Sequence, residues 1–242
     1  MDQESVLIAC RGTEMKSRAD LALIPTPDAT STFQPVPHSR IVDALVEALG
    51  FRHISVVADE YAVSNDGMKL FGVLELDYSF TGCRFAIGIR NSNDKSLRLA
   101  MTVGYRVVVC SNLAFNGDFT PVLAKHSKRF DLLDSLSIGL DRMQRNFEPL
   151  QRTVNRWKEV QMDDKQAKEV VYDAVIEKLI PAKLMNEVHH HYFEPEHDEF
   201  KDRTLWSLSN AFTSAYKVLP PVQQFQRTAK LNPFVERYNP PF

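Results

Sequence analysis

The stretch "CRFAIGIRNSNDKSLRLAMTVGYRVVVC", Cys83 to Cys110, decides the fold. Two apolar runs flank the polar segment Asn91-Ser92-Asn93-Asp94, which is the arrangement of an antiparallel strand pair. Successive side chains of a strand point to opposite faces, so each run divides into two sets. In the second run Leu97, Leu99, Met101, Val103, Tyr105, Val107 and Val109 make one face almost wholly apolar. Arg98, Ala100, Thr102, Gly104, Arg106, Val108 and Cys110 fall on the other. The first run behaves alike, with Phe85, Ile87 and Ile89 against Arg84, Ala86, Gly88 and Arg90. One face is therefore core. The other is expected to carry four arginines, Arg84, Arg90, Arg98 and Arg106, over a floor of small residues that admits a ligand or a packed element close to the backbone.

Upstream, "ISVVADEYAVSNDGMKLFGVLELDY" (54–78) reads as a further strand pair joined at Asn65-Asp66-Gly67, where Asn and Gly tolerate positive φ. Four antiparallel strands in succession make a meander. Before them "RIVDALVEALG" (40–50) spaces Ile41, Val42, Leu45, Val46 and Leu49 for an amphipathic helix stopped at Gly50. Residues 1–37 contain Pro25, Pro27, Pro35 and Pro37 and read as an extended arm. Downstream the period turns helical: Leu133, Leu136, Leu140, Met143, Phe147, Leu150, Val154, Trp157 and Val160 form one stripe, with a kink or break expected at Pro149. Asp163 and Asp164 can cap another helix that ends before Pro181, and "TLWSLSNAFTSAYKVLPP" supplies one more. Strands first and helices afterwards predict an α+β fold: an antiparallel meander of four or more strands with a helical C-terminal half packed on one face. The expected organisation is an arm, 1–37, and a single domain, 38–242, with its sheet in 51–112 and its helical part in 129–238.

The 242 residues are 44% hydrophobic and 25% charged, an ordinary globular composition with ample material for a core. No apolar run approaches the ~20 residues of a membrane span, and acids stand where a signal peptide would carry positive charge, so a cytoplasmic protein with no membrane partner is expected. Three widely spaced cysteines suggest neither a disulfide framework nor a zinc ribbon. The net charge is −2, yet residues 81–130 hold Arg84, Arg90, Lys95, Arg98, Arg106, Lys125, Lys128 and Arg129 against only Asp94 and Asp118. A positive block in an acidic chain points to phosphate or nucleic acid, the alternative being a solvated polar face.

Three constellations bear on catalysis. Cys110 follows a valine-rich run, and His126 with Asn112 would nominally complete a Cys-His-Asn set. No local pattern places a base beside it, and a small core hydrophobe is the expected role. "NEVHHHYFEPEHDEF" is dense in metal-ligating types but lacks the His-Glu-x-x-His spacing, so a solvated polar loop is expected and no metal or cofactor is implied. Glu75 and Asp77 alternate on one strand and read as routine exposed acids, while "SNDG" and "FNGD" are turns without the pattern of a phosphate loop.

Arg90-x-Ser92-x-Asp94-Lys95-Ser96, Val-x-x-Cys110-x-Asn112-Leu113 and Lys125-His126, within the succession from "MKLFGVLELD" to "TLWSLSNAFTSA", resemble the phage- and plasmid-associated family built on the domain of unknown function numbered nine hundred and thirty-two. The resemblance spans roughly Pro37 to Leu219. It implies a bacterial or phage setting among mobile-element genes, and no catalytic residue to carry over. The expected function is a non-enzymatic nucleic-acid-binding accessory protein whose partner is DNA or RNA, held by Arg84, Arg90, Lys95, Arg98, Arg106, Lys125, His126, Lys128 and Arg129. The alternatives are a metal-dependent hydrolase or nuclease, and an anti-defence factor that binds a host protein.

Overall fold

The computed structural model describes residues 13–110, 112–115, 122–127, 130–219 and 221–240. Its strands are β1 (Thr13–Lys16), β2 (Val56–Ser64), β3 (Lys69–Phe80), β4 (Cys83–Ser92), β5 (Leu99–Val107), β6 (Leu113–Phe115) and β7 (Val122–Ala124). They form one antiparallel sheet in the order β1-β2-β3-β4-β5-β6, with β7 pairing β5 beyond β6. The helices are α1 (Arg18–Leu21), α2 (His38–Gly50), α3 (Leu132–Glu159), α4 (Asp164–Ile176), α5 (Met185–Phe193), α6 (Leu205–Tyr216) and α7 (Pro221–Glu236). The fold is α+β, as the sequence predicts.

The odd face of β5 and its neighbours is the core. Phe85 of β4 stacks on Phe147 of α3 with ring centroids 4.2 Å apart, and Tyr105 of β5 meets Trp206 of α6 at 5.7 Å. Arg52 ties the end of α2 to α3 through Asp141 at 2.7 Å and the Ser137 hydroxyl at 2.7 Å. The turn at Asn65-Asp66-Gly67 forms as expected, with Gly67 at φ +71° and its N–H donated to the Ser64 carbonyl.

Four expectations are corrected. The arm is not wholly extended: Thr13–Lys16 adds an edge strand to β2, and α1 follows behind a Ser17–Asp20 capping box. The last strand of the meander stops at Val107, whose N–H bonds the Asn112 carbonyl, so Val108 to Cys110 form a turn and Cys110 does not sit on the strand face. Of the kink or break expected at Pro149 the break does not occur, α3 running on from Leu132 to Glu159. A proline inside a helix costs about 3 kcal/mol; burial of Met143, Phe147, Leu150, Val154 and Trp157 on the same stripe, at about 1.5–3 kcal/mol each, outweighs it. Finally, the first part of the histidine-rich segment is a helix, α5. Val188 and Tyr192, four apart, are fully buried and anchor it while its histidines face outward or sideways.

Candidate nucleic-acid interface

The second face of the sheet was expected to be an open arginine platform. Register places its residues in rows: Arg84 opposite Arg106, Ala86 opposite Gly104, Gly88 opposite Thr102, Arg90 opposite Ala100, and on β3 Glu75 opposite Ala86. Two arginines directly opposite repel each other. Glu75 resolves the conflict from two strands away, accepting from Arg106 and, at 3.5 Å, from Arg84. Ala86 and Gly104 lie between them, so the small floor is filled by the protein's own side chains rather than left for a ligand. Gly104 has a further reason to be small. A Cβ there would stand 2.0 Å from the Ala114 carbonyl oxygen of β6. Phe115, Val73, Ala86 and Ala62 form a small apolar cluster on the same face.

Arg106 is thus an internal strut, its side chain 8% exposed, and Glu75 is a buried counterion rather than a routine surface acid. Asp77 is exposed, as expected, its N–H held by the Ser55 carbonyl across a break in the β3 register. His126 is buried at 4% between the rings of Phe33 and Phe130, and neither ring nitrogen bonds a side chain among the described residues. The Cys110–His126–Asn112 set is accordingly not assembled. Asn112 instead donates to the Asn210 carbonyl and to the Ser214 hydroxyl, fastening the start of β6 to α6.

The remaining cations gather at one end of the sheet. The β4–β5 ladder ends at Arg90 and Ala100, β7 pairs Ala124 with Leu99, and β3 brings Lys69 opposite Ser92. Arg98 and Lys125 therefore lie side by side just past the last paired residues, with Lys95 at the hairpin tip. Lys95, Arg98 and Lys125 are exposed and have no ion-pair partner among the described residues. Arg90 is half-buried, and burial pushes its guanidinium below its ordinary value without threatening its charge. Lys128 and Arg129 lie outside the described residues.

The local sequence builds this rim. Asn91 and Asn93, both buried, hold the arm through the Val36 carbonyl and N–H, and Asn91 also meets His38 Nδ1 at 3.0 Å. Asp94 bonds the Ser92 hydroxyl and the Ser96 N–H, and pairs with Lys69 at 3.2 Å. Partial burial opposes its ionisation, but the Ser92 and Ser96 hydroxyls and Lys69 outweigh that and hold the carboxyl far below the usual range. Lys95 follows at φ +67°, the left-handed conformation that closes the tip, and its ammonium sits 5.3 Å from the Phe33 ring centroid. The Asn-Ser-Asn-Asp-Lys-Ser run is thus a clamp that fixes the arm, ties up its own acid and projects a lysine. Only its position between two strands was legible in advance.

Among the described residues no group of three or more His, Cys, Asp or Glu side chains is placed to hold a metal. No helix among them is long and apolar enough to cross a membrane.

The family model described as a domain of unknown function (DUF932) matches residues 29–231, from the arm to α7. No curated protein and no solved structure matches the chain. The chain belongs to the DUF932 family.

Proposed function

Starting from membership in that family, we propose that the chain is a non-enzymatic nucleic-acid-binding protein that holds the phosphate backbone with the sheet's β4–β5 end. Lys95, Arg98 and Lys125 contact phosphates, Arg90 supports them, and Lys128 and Arg129, which follow Lys125 closely in sequence, add to the positive charge. The observation that carries the reading is that these three exposed cations cluster beside Asp94, an acid already bound to Ser92, Ser96 and Lys69. Guanidinium and ammonium groups held on a rigid edge suit phosphate oxygens, which accept their donors. The aromatic residue of β5, Tyr105, is buried in the core, so this strand offers no base stacking and recognition is of backbone rather than sequence. The setting proposed with it, by resemblance, is that of a phage or plasmid accessory protein acting in the cytoplasm.

Fluorescence anisotropy with a labelled single-stranded oligonucleotide and with a duplex, repeated between about 50 and 200 mM salt, tests the proposal. Each phosphate contact contributes about 0.7 to 0.9 to the slope of log affinity against log salt. The expected result is sequence-indifferent binding that weakens with salt, and a shallower slope for Arg98→Gln with Lys125→Gln. Absence of binding at low salt, or the same slope for that double variant, contradicts it. Turnover of the oligonucleotide would move the hydrolase reading ahead.

A further inference from the structure

Past the end of β5 opposite to the rim, the 108–110 turn, α5, the 3-10 turn Asp198–Phe200 and α6 line a cavity of about 190 Å³. Its wall includes Cys110, His191, Glu196, His197, Asn210 and Lys217. A space of this size suits a small ligand.

The wall is built rather than incidental. The α6 helix is buried along nearly its whole length, yet Ser207, Asn210 and Ser214 stand three and four apart on the side that lines the cavity. Hydroxyls and an amide on a buried helix are normally tied up within the fold, and these are: Ser207 meets the Thr204 hydroxyl at 3.1 Å, Asn210 donates to the Trp206 carbonyl, and Ser214 exchanges bonds with Asn112. The floor is therefore polar and fixed before any ligand arrives. Lys217 is fixed as well, donating to the Cys110 carbonyl at 2.7 Å. His191 is half-buried, and burial pushes its imidazole below the ordinary value despite the opposing Glu196 and Glu187. A neutral ring N–H and a fixed ammonium thus face one small polar space, and Glu196, the one carboxylate on its wall among the described residues, is exposed. Small-molecule sites have this form, a concavity with a few convergent polar groups.

We propose that this cavity binds a small organic anion, a carboxylate or a phosphate, gripped by Lys217 and His191 with the Cys110 thiol on its wall. The site is independent of the nucleic-acid reading and stands or falls apart from it.

The thiol allows a direct test with two alkylating reagents of nearly equal size, the anion iodoacetate and the neutral iodoacetamide. In each, the Cys110 sulfur displaces iodide: the S–C bond forms as the C–I bond breaks, and the thiol proton passes to solvent. Peptide mapping follows Cys110 in the native full chain. Cys83, fully buried with its thiol pushed up to about 12 by burial, serves as an unreactive internal control. The expected result is an iodoacetate-to-iodoacetamide rate ratio at Cys110 at least tenfold above that of 2-mercaptoethanol, falling to the free-thiol ratio in Lys217→Met. Because Lys217 also holds the turn, His191→Gln with an unchanged melting temperature provides a second variant and is expected to lower the ratio in the same direction. Slowing of the iodoacetate reaction by inorganic phosphate identifies a phosphate ligand, and slowing by acetate a carboxylate. A native Cys110 that reacts with neither reagent, or a free-thiol ratio untouched by both variants, overturns the proposal.

Discussion

Arg98 and Arg106 stand eight residues apart at the two ends of one strand, on the same side by simple alternation, and they do opposite things. Arg106 lies within the sheet, with Arg84 opposite it on β4 and Leu113 on β6, and is neutralised by buried Glu75. Arg98 lies one residue before the first pair of β5, where the ladder has already ended, and points its charge into solvent. Alternation fixes which side of a sheet a charge occupies. The number of strands around it decides whether that charge is an internal strut or a hand for a ligand. Lys125 and His126 repeat the contrast across a single peptide bond, one exposed and the other 4% exposed between two aromatic rings.

The contrast breaks most visibly at the strut. Glu75→Gln removes the carboxylate that Arg84 and Arg106 share, and breaking a buried pair from one side costs about 3–5 kcal/mol. For a chain of this size each kcal/mol is worth about 2–4 °C, so a fall of roughly 6–20 °C in thermal denaturation is expected. A fall of less than about 2 °C, under 1 kcal/mol by the same conversion, would mean that the pair is dispensable. Next in size is Asn112→Ala, which strands the buried amide partners on α6 and should cost about 1–3 kcal/mol in a denaturant titration, without altering oligonucleotide affinity.

How much of this was legible follows from the same distinction. The meander, the α2 helix and the α3 stripe rest on periodicity, a property of neighbouring residues, and each formed in its place, although β5 stops at Val107, Leu133 is exposed and Val160 lies past the end of α3. The Glu75–Arg106 pair joins residues 31 apart through a register that no local pattern encodes, so Glu75 passed for a surface acid and Arg106 for a ligand contact. The short strands β6 and β7 carry three residues each, below the length at which alternation speaks. The α5 helix was hidden because only Val188 and Tyr192 anchor it among histidines and acids. The cavity beside Cys110 gathers side chains from residues 110 to 217, and only the fold brings them together.

Acid sharpens the Lys125–His126 contrast. Burial lowers His38, His126 and His191 below the ordinary 6.5, so the folded chain binds fewer protons at these sites than the unfolded one. Their contribution to stability is complete above about pH 6.5 and is lost as pH falls from there through the depressed folded values. Melting temperature should therefore drop on acidification from pH 7 to 5. His126→Phe, which keeps a ring between Phe33 and Phe130 and removes the imidazole, should make that drop shallower; an unchanged or steeper drop would show that His126 is not a buried neutral group.

The smallest expected effect on stability belongs to the residues with the largest role in binding, and comparing them with the strut tests the central claim most directly. Oligonucleotide affinity at low salt and melting temperature should be measured together on Arg98→Gln with Lys125→Gln and on Arg106→Gln. The account predicts that the rim pair loses affinity while its stability stays within about 0.5 kcal/mol of the parent, as surface substitutions do, and that Arg106→Gln loses several degrees of melting temperature yet binds normally while folded. Normal binding by the folded rim variant, or loss of binding confined to Arg106→Gln below its melting transition, would contradict it.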